Sequence, residues 1–191
     1  MGKVKKVIKY NKRIIIKMIK TIGLSLWNII VTIAHAVLTV LYKIIGKELT
    51  DEAFDGWIQF VKFGMVGVLN TVLSYLITEG GYFALRKPLG SETLALQISQ
   101  TAAFIITVFI SYLINSTLVF KKEEGKERNP WKTLIKTYIA YSFTGILLNN
   151  VLIYIEVELL HFSPLIAPLL NLIIDVPVNF FMNKLWAYRT E

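Results

Sequence analysis

The sequence predicts an all-α integral membrane protein: four transmembrane helices arranged as two parallel hairpin repeats, preceded by a basic amphipathic interfacial helix. Three observations predict it. Of the 191 residues 54% are hydrophobic and only 18% charged, with a mean hydropathy of +0.55, which is too apolar for an ordinary soluble domain. The apolar residues fall in long runs which, at ~1.5 Å rise per residue, cross most of a ~30 Å hydrocarbon layer as helices. Two of these runs also close alike, on Asn115-Ser116-Thr117-Leu118-Val119-Phe120 and on Asn183-Lys184-Leu185-Trp186-Ala187-Tyr188, as a membrane unit used twice would.

Residues 1–47 are basic and then apolar. Lys3, Lys5, Lys6, Lys9, Lys12, Arg13, Lys17 and Lys20 have no acidic partner and supply much of the net charge of +8. An apolar helix follows at once, so this charge points to anionic lipid and not to nucleic acid. The apolar part, from about Leu24 to Ile45, is longer than a secretory signal core and lacks a cleavage site, so it is expected to stay with the protein. Ser25, Asn28, Thr32, His35, Thr39 and Lys43 recur every three or four residues and make one polar stripe. Two placements fit, a spanning helix or a helix lying in the interface. Parity favours the interface, because the lysine cluster and the start of the next helix both carry the basic signature of the cytoplasmic side.

Residues 48–58 read as an acidic hinge, with Glu48, Asp51, Glu52 and Asp55, and Thr50 is placed to cap a helix. The membrane domain follows over 59–191, with spans expected near 59–85, 94–120, 134–160 and 164–186. Gly64 and Gly67 lie on nearly one face of the first span, where a helix or a lipid chain can approach. The loop after the second span carries Lys121, Lys122, Lys126, Arg128 and Lys132 and belongs in the cytoplasm, whereas the turn His161-Phe162-Ser163-Pro164 has no lysine or arginine and fits the outside. Both termini are therefore expected inside a multi-pass cytoplasmic-membrane protein. In this register Lys62 matches Lys136, and Asn115 matches Asn183.

Polar groups inside a bilayer need a reason, since translocon scales charge about 2.5–3.5 kcal/mol for a central aspartate. Asn171, Asp175, Asn179 and Asn183 follow one another at intervals of four and make a hydrophilic face on the last span, with Pro177 beside Asp175. Together with Asn70, Thr71, Asn149 and Asn150 they are candidates for a polar headgroup path. Helix-to-helix hydrogen bonding is the plainer alternative. Lys62, Asn115, Asn183 and Lys184 gather near the cytoplasmic boundary as a candidate phosphate site, with snorkelling anchors as the plainer reading of each lysine, while Trp186 and Tyr188 are expected to anchor at the interface. No cysteine and only two histidines, His35 and His161, are present. With no Ser-His-acid set, zinc spacing, P-loop or paired catalytic carboxylates, the sequence predicts no enzyme, no metal and no cofactor.

From Phe60 to Arg189 the chain resembles the GtrA-like family of small four-helix membrane proteins. The resemblance is carried by Phe60-Val-Lys-Phe-Gly-Met-Val-Gly-Val-Leu-Asn-Thr71 at its start and by Asn179-Phe-Phe-Met-Asn183-Lys184-Leu-Trp186-Ala-Tyr188 at its end. The copy after the second span departs from the pattern, with Ser116 where a basic residue is usual and Leu118 where tryptophan is usual. The resemblance implies flippase-type movement of a polyprenyl-phosphate-linked monosaccharide, used outside to glycosylate cell-envelope polymers such as teichoic acid or O-antigen. It implies as partners that sugar lipid, membrane lipids and membrane glycosyltransferases, and it leaves a homo-oligomer open. The alternative is a membrane anchor or activating partner of a polyprenyl-phosphate glycosyltransferase, without transport.

Overall fold

The structure is a computed structural model that describes residues 2–122 and 125–190, with side chains described from Thr21 onward. The side chains of the lysine cluster in the first 20 residues lie outside the described residues. The chain divides into two compact units, Met1–Ile58 and Gln59–Glu191.

In the first unit α1 covers Gly2–Ile44, and two threonines of its exposed polar stripe bond back to the helix's own backbone. Thr32 Oγ1 donates to Asn28 O at 2.8 Å and Thr39 Oγ1 to His35 O at 2.7 Å. Gly46, at φ 70°, supplies the left-handed residue that turns the chain. Thr50 then caps α2, Asp51–Leu89, by accepting from the Ala53 N–H at 3.2 Å. Within the expected hinge, residues 48–58, the helix begins at Asp51, and the division between the two units falls at the end of that stretch, after Ile58. Asp51, Glu52 and Asp55 occupy the opening turns of α2, where negative charge meets the positive end of the helix dipole. Trp57 Nε1 donates to Tyr42 Oη at 3.3 Å, and the His35 and Phe54 rings meet edge to face at 4.8 Å.

The second unit is a bundle. Within it α2 runs on to Leu89 and stops at Gly90 (φ 62°), several residues beyond the expected end near 85. Ser91 caps α3, Glu92–Ile114, by accepting from Leu94 N at 3.3 Å. Asn129 caps α4, Pro130–Ser142, by accepting from Lys132 N at 3.1 Å, with Pro130 in the first turn where its missing N–H matters least. A π-turn at Phe143–Leu148 leads into α5, Asn149–Tyr154, and a second at Ile155–Leu159 ends that rod. After a turn in which His161 adopts φ 57°, α6 covers Ala167–Met182. Its start lies three residues later than the sequence suggests because Ser163 first organises the turn, its carbonyl accepting from the Ile166 and Ala167 N–H groups.

Four helices among the described residues are long and apolar enough to cross a membrane: Thr21–Ile44, Asp51–Leu89, Glu92–Val119 and Pro130–Leu159. The protein is a multi-pass membrane protein. Thr21–Ile44 meets the criterion, so its length does not separate lying in the interface from spanning. The segment of α6 is not in that set, because Asn171, Asp175 and Asn179 lower its average hydropathy. Its outward residues tell another story: Ile173 is 71% exposed and Leu169, Leu172 and Phe181 face outward with it, whereas Asn171 is 0% exposed. Its polar side is internal and its surface is apolar, as a spanning helix needs.

Candidate functional site

The two matching sequence ends fold alike. Asn115–Val119 and Asn183–Ala187 are both π-turns, closed by Phe120 N–H on Asn115 O at 2.7 Å and by Tyr188 N–H on Asn183 O at 2.8 Å. Between these ends lies an aromatic core. Phe120 meets Tyr188 at 4.7 Å between ring centroids, Phe63 meets Phe180 at 5.6 Å, and Phe60 meets Phe180 at 5.1 Å. Opening a π-turn leaves carbonyls without intrahelical donors, and cations supply them. Arg128 donates to Phe120 O at 2.7 Å and to Ser116 O at 3.2 Å while its guanidinium lies 5.2 Å from the Tyr188 ring centroid. Lys136 Nζ donates to Trp186 O at 3.2 Å and sits 5.4 Å from that ring.

This geometry redistributes the expected phosphate site. Asn115 and Asn183 are both 0% exposed. Asn183 Nδ2 donates back to Asn179 O at 2.8 Å and to Asn179 Oδ1 at 2.9 Å, and Asn115 Nδ2 reaches Tyr141 Oη at 3.5 Å. Their amides hold the helix ends from within and do not open onto a mouth. Lys62 and Lys184 remain half-buried at that end, Lys184 over the Phe180 ring at 5.5 Å. Tyr188, expected at the interface, is 4% exposed and packs inward against Phe120 and under Arg128; Trp186, at 39%, keeps an outer edge. Burial raises the pKa of the Tyr188 hydroxyl above its usual 10.0, against the lowering pull of a Thr137 hydrogen bond and of Arg128.

A second polar layer joins α5 and its π-turn to α6. Asn149 Nδ2 donates to Asp175 Oδ2 at 3.3 Å, and Asn171 lies 3.5 Å from Asn149 Oδ1. With its amide nitrogen turned toward Glu156, Asn171 donates to both carboxylate oxygens, at 3.1 and 3.0 Å. Glu156 is buried, and Asp175 Oδ1 is buried without a hydrogen-bond partner. The sequence places Glu156 at the outer end of its span and misses this role. The signal was the two-turn spacing from Asn149, which puts both on one helix face. Asn150 faces away, exposed, and donates to Ile146 O at 2.6 Å.

The third feature is an open groove of about 530 Å³ lined mainly by α2 and α3, with Tyr141 from α4. Asn70 and Thr71 both line it. Ser111 Oγ donates to Asn70 Oδ1 at 2.9 Å, whereas Thr71 Oγ1 donates to Gly67 O at 3.1 Å. A further cavity of about 420 Å³ shares Glu79 and Leu96 with the groove and adds Glu92. The eleven sequence candidates for a phosphate site and a headgroup path therefore separate. Asn70 and Thr71 belong to the groove, Asn149, Asn171 and Asp175 to the carboxylate layer, and Asn179 joins Asn183 at the π-turn that contains Lys184, with Asn115 at the matching turn, Lys62 on α2 and Asn150 outside all of them. Among the described residues no three His, Asp or Glu side chains converge as metal ligands would.

A sequence profile for the GtrA/DPMS transmembrane domain matches residues 62–188, which takes in the aromatic end, the carboxylate layer and the groove. Neither a curated protein nor a solved structure matches the chain. With two thirds of its length matched, from the α2 lysine to the buried tyrosine that closes the last π-turn, the chain belongs to the GtrA/DPMS transmembrane-domain family.

Proposed function

We propose that the protein translocates a polyprenyl-phosphate-linked monosaccharide across the cytoplasmic membrane, for glycosylation of cell-envelope polysaccharide or teichoic acid. The observation that carries this reading is the interior layer of Glu156, Asn171, Asn149 and Asp175 in a bundle with an apolar outer surface. A protein that only anchors a partner has no use for two carboxylates at that depth, where each must be satisfied by donors or water. Lys62 and Lys184 meet the lipid phosphate at the basic end, and the buried Asn115 and Asn183 fix the π-turns beside them. The helices α2, α3, the α4–α5 rod and α6 cross as two parallel hairpins with both termini cytoplasmic, and residues 1–47 lie along the cytoplasmic surface.

Transfer of a fluorescent polyprenyl-phosphate sugar across liposomes containing only the purified protein tests the reading. Transfer above that of empty liposomes is expected. Unchanged lipid distribution, with glycosyltransferase activity rising when that enzyme is co-reconstituted, would replace translocation by the anchor or activating-partner reading. Losing one charge-assisted contact typically costs about 1.5–3 kcal/mol, so Lys184→Ala is expected to weaken polyprenyl-phosphate binding roughly ten- to hundredfold. The chain has no cysteine, so cysteines introduced at Lys5 and Lys126 report sidedness directly. Labelling from opposite faces would overturn the topology.

A further inference from the structure

We infer that the groove between α2 and α3 is a sugar-binding station that accepts a neutral or amino sugar and discriminates against an anionic one. The inference deepens the translocation reading and rests on it. Ser74, Thr78, Glu79 and Gln100 line the groove, and none has a hydrogen-bond partner among the described residues. At membrane depth such groups are costly unless something polar meets them. Neighbouring hydroxyls are satisfied, Ser99 and Thr107 by carbonyls of their own helix and Ser111 by Asn70 across to α2, but neither kind of bond reaches these four.

The lining also has the composition of a carbohydrate site. Uncharged donors and acceptors alternate with the rings of Tyr75, Phe104 and Tyr141, which offer flat apolar faces to the C–H side of a pyranose. The volume of about 530 Å³ lies inside the ~300–1,000 Å³ range of small-molecule sites. Sign is decided by the charges. Glu79 lies where the groove joins the next cavity, Glu92 lines that cavity, and no lysine or arginine lines either space. A hexuronate entering there meets like charge with no counter-ion, whereas a hexose or amino sugar finds hydrogen-bond partners. The groove begins about two helical turns beyond Lys62 and leads away from the basic end, so it is a separate place from the phosphate position at Lys62.

The test uses the full chain in lipid nanodiscs and three probes: farnesyl phosphate, its hexose phosphodiester and its hexuronate phosphodiester. The readout is the ratio of each glycosylated probe's affinity to that of farnesyl phosphate within the same protein. The parent is expected to bind the hexose probe about tenfold tighter than farnesyl phosphate, the scale of two neutral hydrogen bonds, and the hexuronate probe no tighter. Gln100→Leu combined with Thr78→Val should erase the hexose gain. Glu79→Gln alone should raise hexuronate affinity, and Thr101→Val, on the same helix but outside the lining, should leave the hexose gain in place. A hexose gain that survives the double substitution, or a parent that binds hexuronate as well as hexose, overturns the assignment. Binding of farnesyl phosphate with no gain from sugar overturns the groove alone; failure to bind any of the three overturns the translocation reading with it.

Discussion

Replacing Gly81 by alanine probes a close approach of α2 to α3, close in sequence to the groove residues Glu79 and Gln100. A Cβ built on Gly81 would lie 2.6 Å from Ser99 Oγ and 2.9 Å from Ser99 Cβ. Ser99 is buried, and its hydroxyl donates to Ala95 O at 2.7 Å. Rotating that hydroxyl away sacrifices the bond and leaves the Cβ contact in place, so the two helices must move apart. Overpacking of this kind costs about 1–3 kcal/mol, while alanine returns up to ~1 kcal/mol of helix propensity, for a net loss of roughly 0–2 kcal/mol. A double-mutant cycle separates the terms, because Ser99→Gly removes the obstacle and keeps the propensity gain. The expected coupling is about 1–3 kcal/mol, read by reversible SDS unfolding in mixed micelles. Gly80→Ala is the control, since its Cβ meets nothing within 4 Å. If the costs of Gly81→Ala and Ser99→Gly simply add within ~0.5 kcal/mol, the helices are not in the contact described and the argument fails.

Three further outcomes are expected. Arg128→Met, which removes the donors to Ser116 and Phe120, should cost about 1.5–3 kcal/mol in the same unfolding assay, with Arg128→Lys recovering only part and exposed Lys121→Met within ~0.5 kcal/mol of the parent. Because the folded Tyr188 holds its proton more tightly than the unfolded chain, its contribution is intact below pH 10.0 and is lost as pH rises above it; Tyr188→Phe should shallow that alkaline loss in a melting series, and an unchanged slope would count against the burial assigned to it. Asp175→Leu strands the donor of Asn149 and should slow liposomal transfer roughly ten- to hundredfold, whereas tolerance of Asp175→Asn would mark polar contact and its failure an ionisable group; parental transfer by a stable Asp175→Leu protein would remove the carboxylate layer from the mechanism.

What the sequence could and could not convey follows from how each signal is written. Helix existence was legible because apolar runs of spanning length have few other solutions in a membrane. Caps at Thr50, Ser91 and Asn129 are local hydrogen bonds, but only Thr50 was read as one, and α4 accordingly begins at Pro130 and not near 134. The row of Asn171, Asp175 and Asn179 was correctly seen as one side of a helix, yet periodicity gives only the side and not its partner. Asn179 turns to Asn183, while Asp175 turns to Asn149 on α5 and Asn171 to Glu156 in the π-turn that follows it. Tyr188 misled because an aromatic after a terminal lysine reads as an interfacial anchor, and only the return of Phe120 and Arg128 from the other half of the bundle buries it. Gly64 and Gly67 mark a face that a helix or a lipid chain can approach. A Cβ at either meets nothing within 4 Å, and the close contact falls on Gly81, which no spacing rule marks.

Counting back along the chain from the two buried asparagines sharpens the difference between the halves. Four residues before each stand Ser111 and Asn179, eight before each Thr107 and Asp175, and twelve before each Ala103 and Asn171. The first set is small or hydroxylic, and its buried hydroxyls are occupied: Thr107 donates to Ala103 O at 2.7 Å and Ser111 to Asn70 at 2.9 Å. The second set carries an acid and two amides that reach across to Asn149 and Glu156 or along the helix to Asn183. On α3 Thr107 lines the open groove beside α2, while on α6 Asn171 and Asp175 enter a hydrogen-bonded layer with Asn149 and Glu156. The ends of the two halves are therefore held by the same device and their middles do opposite work. The groove presents hydroxyls, an amide and Glu79 without partners among the described residues, whereas the carboxylates of the α6 layer are met by amides, a difference that two identical hairpins would not provide.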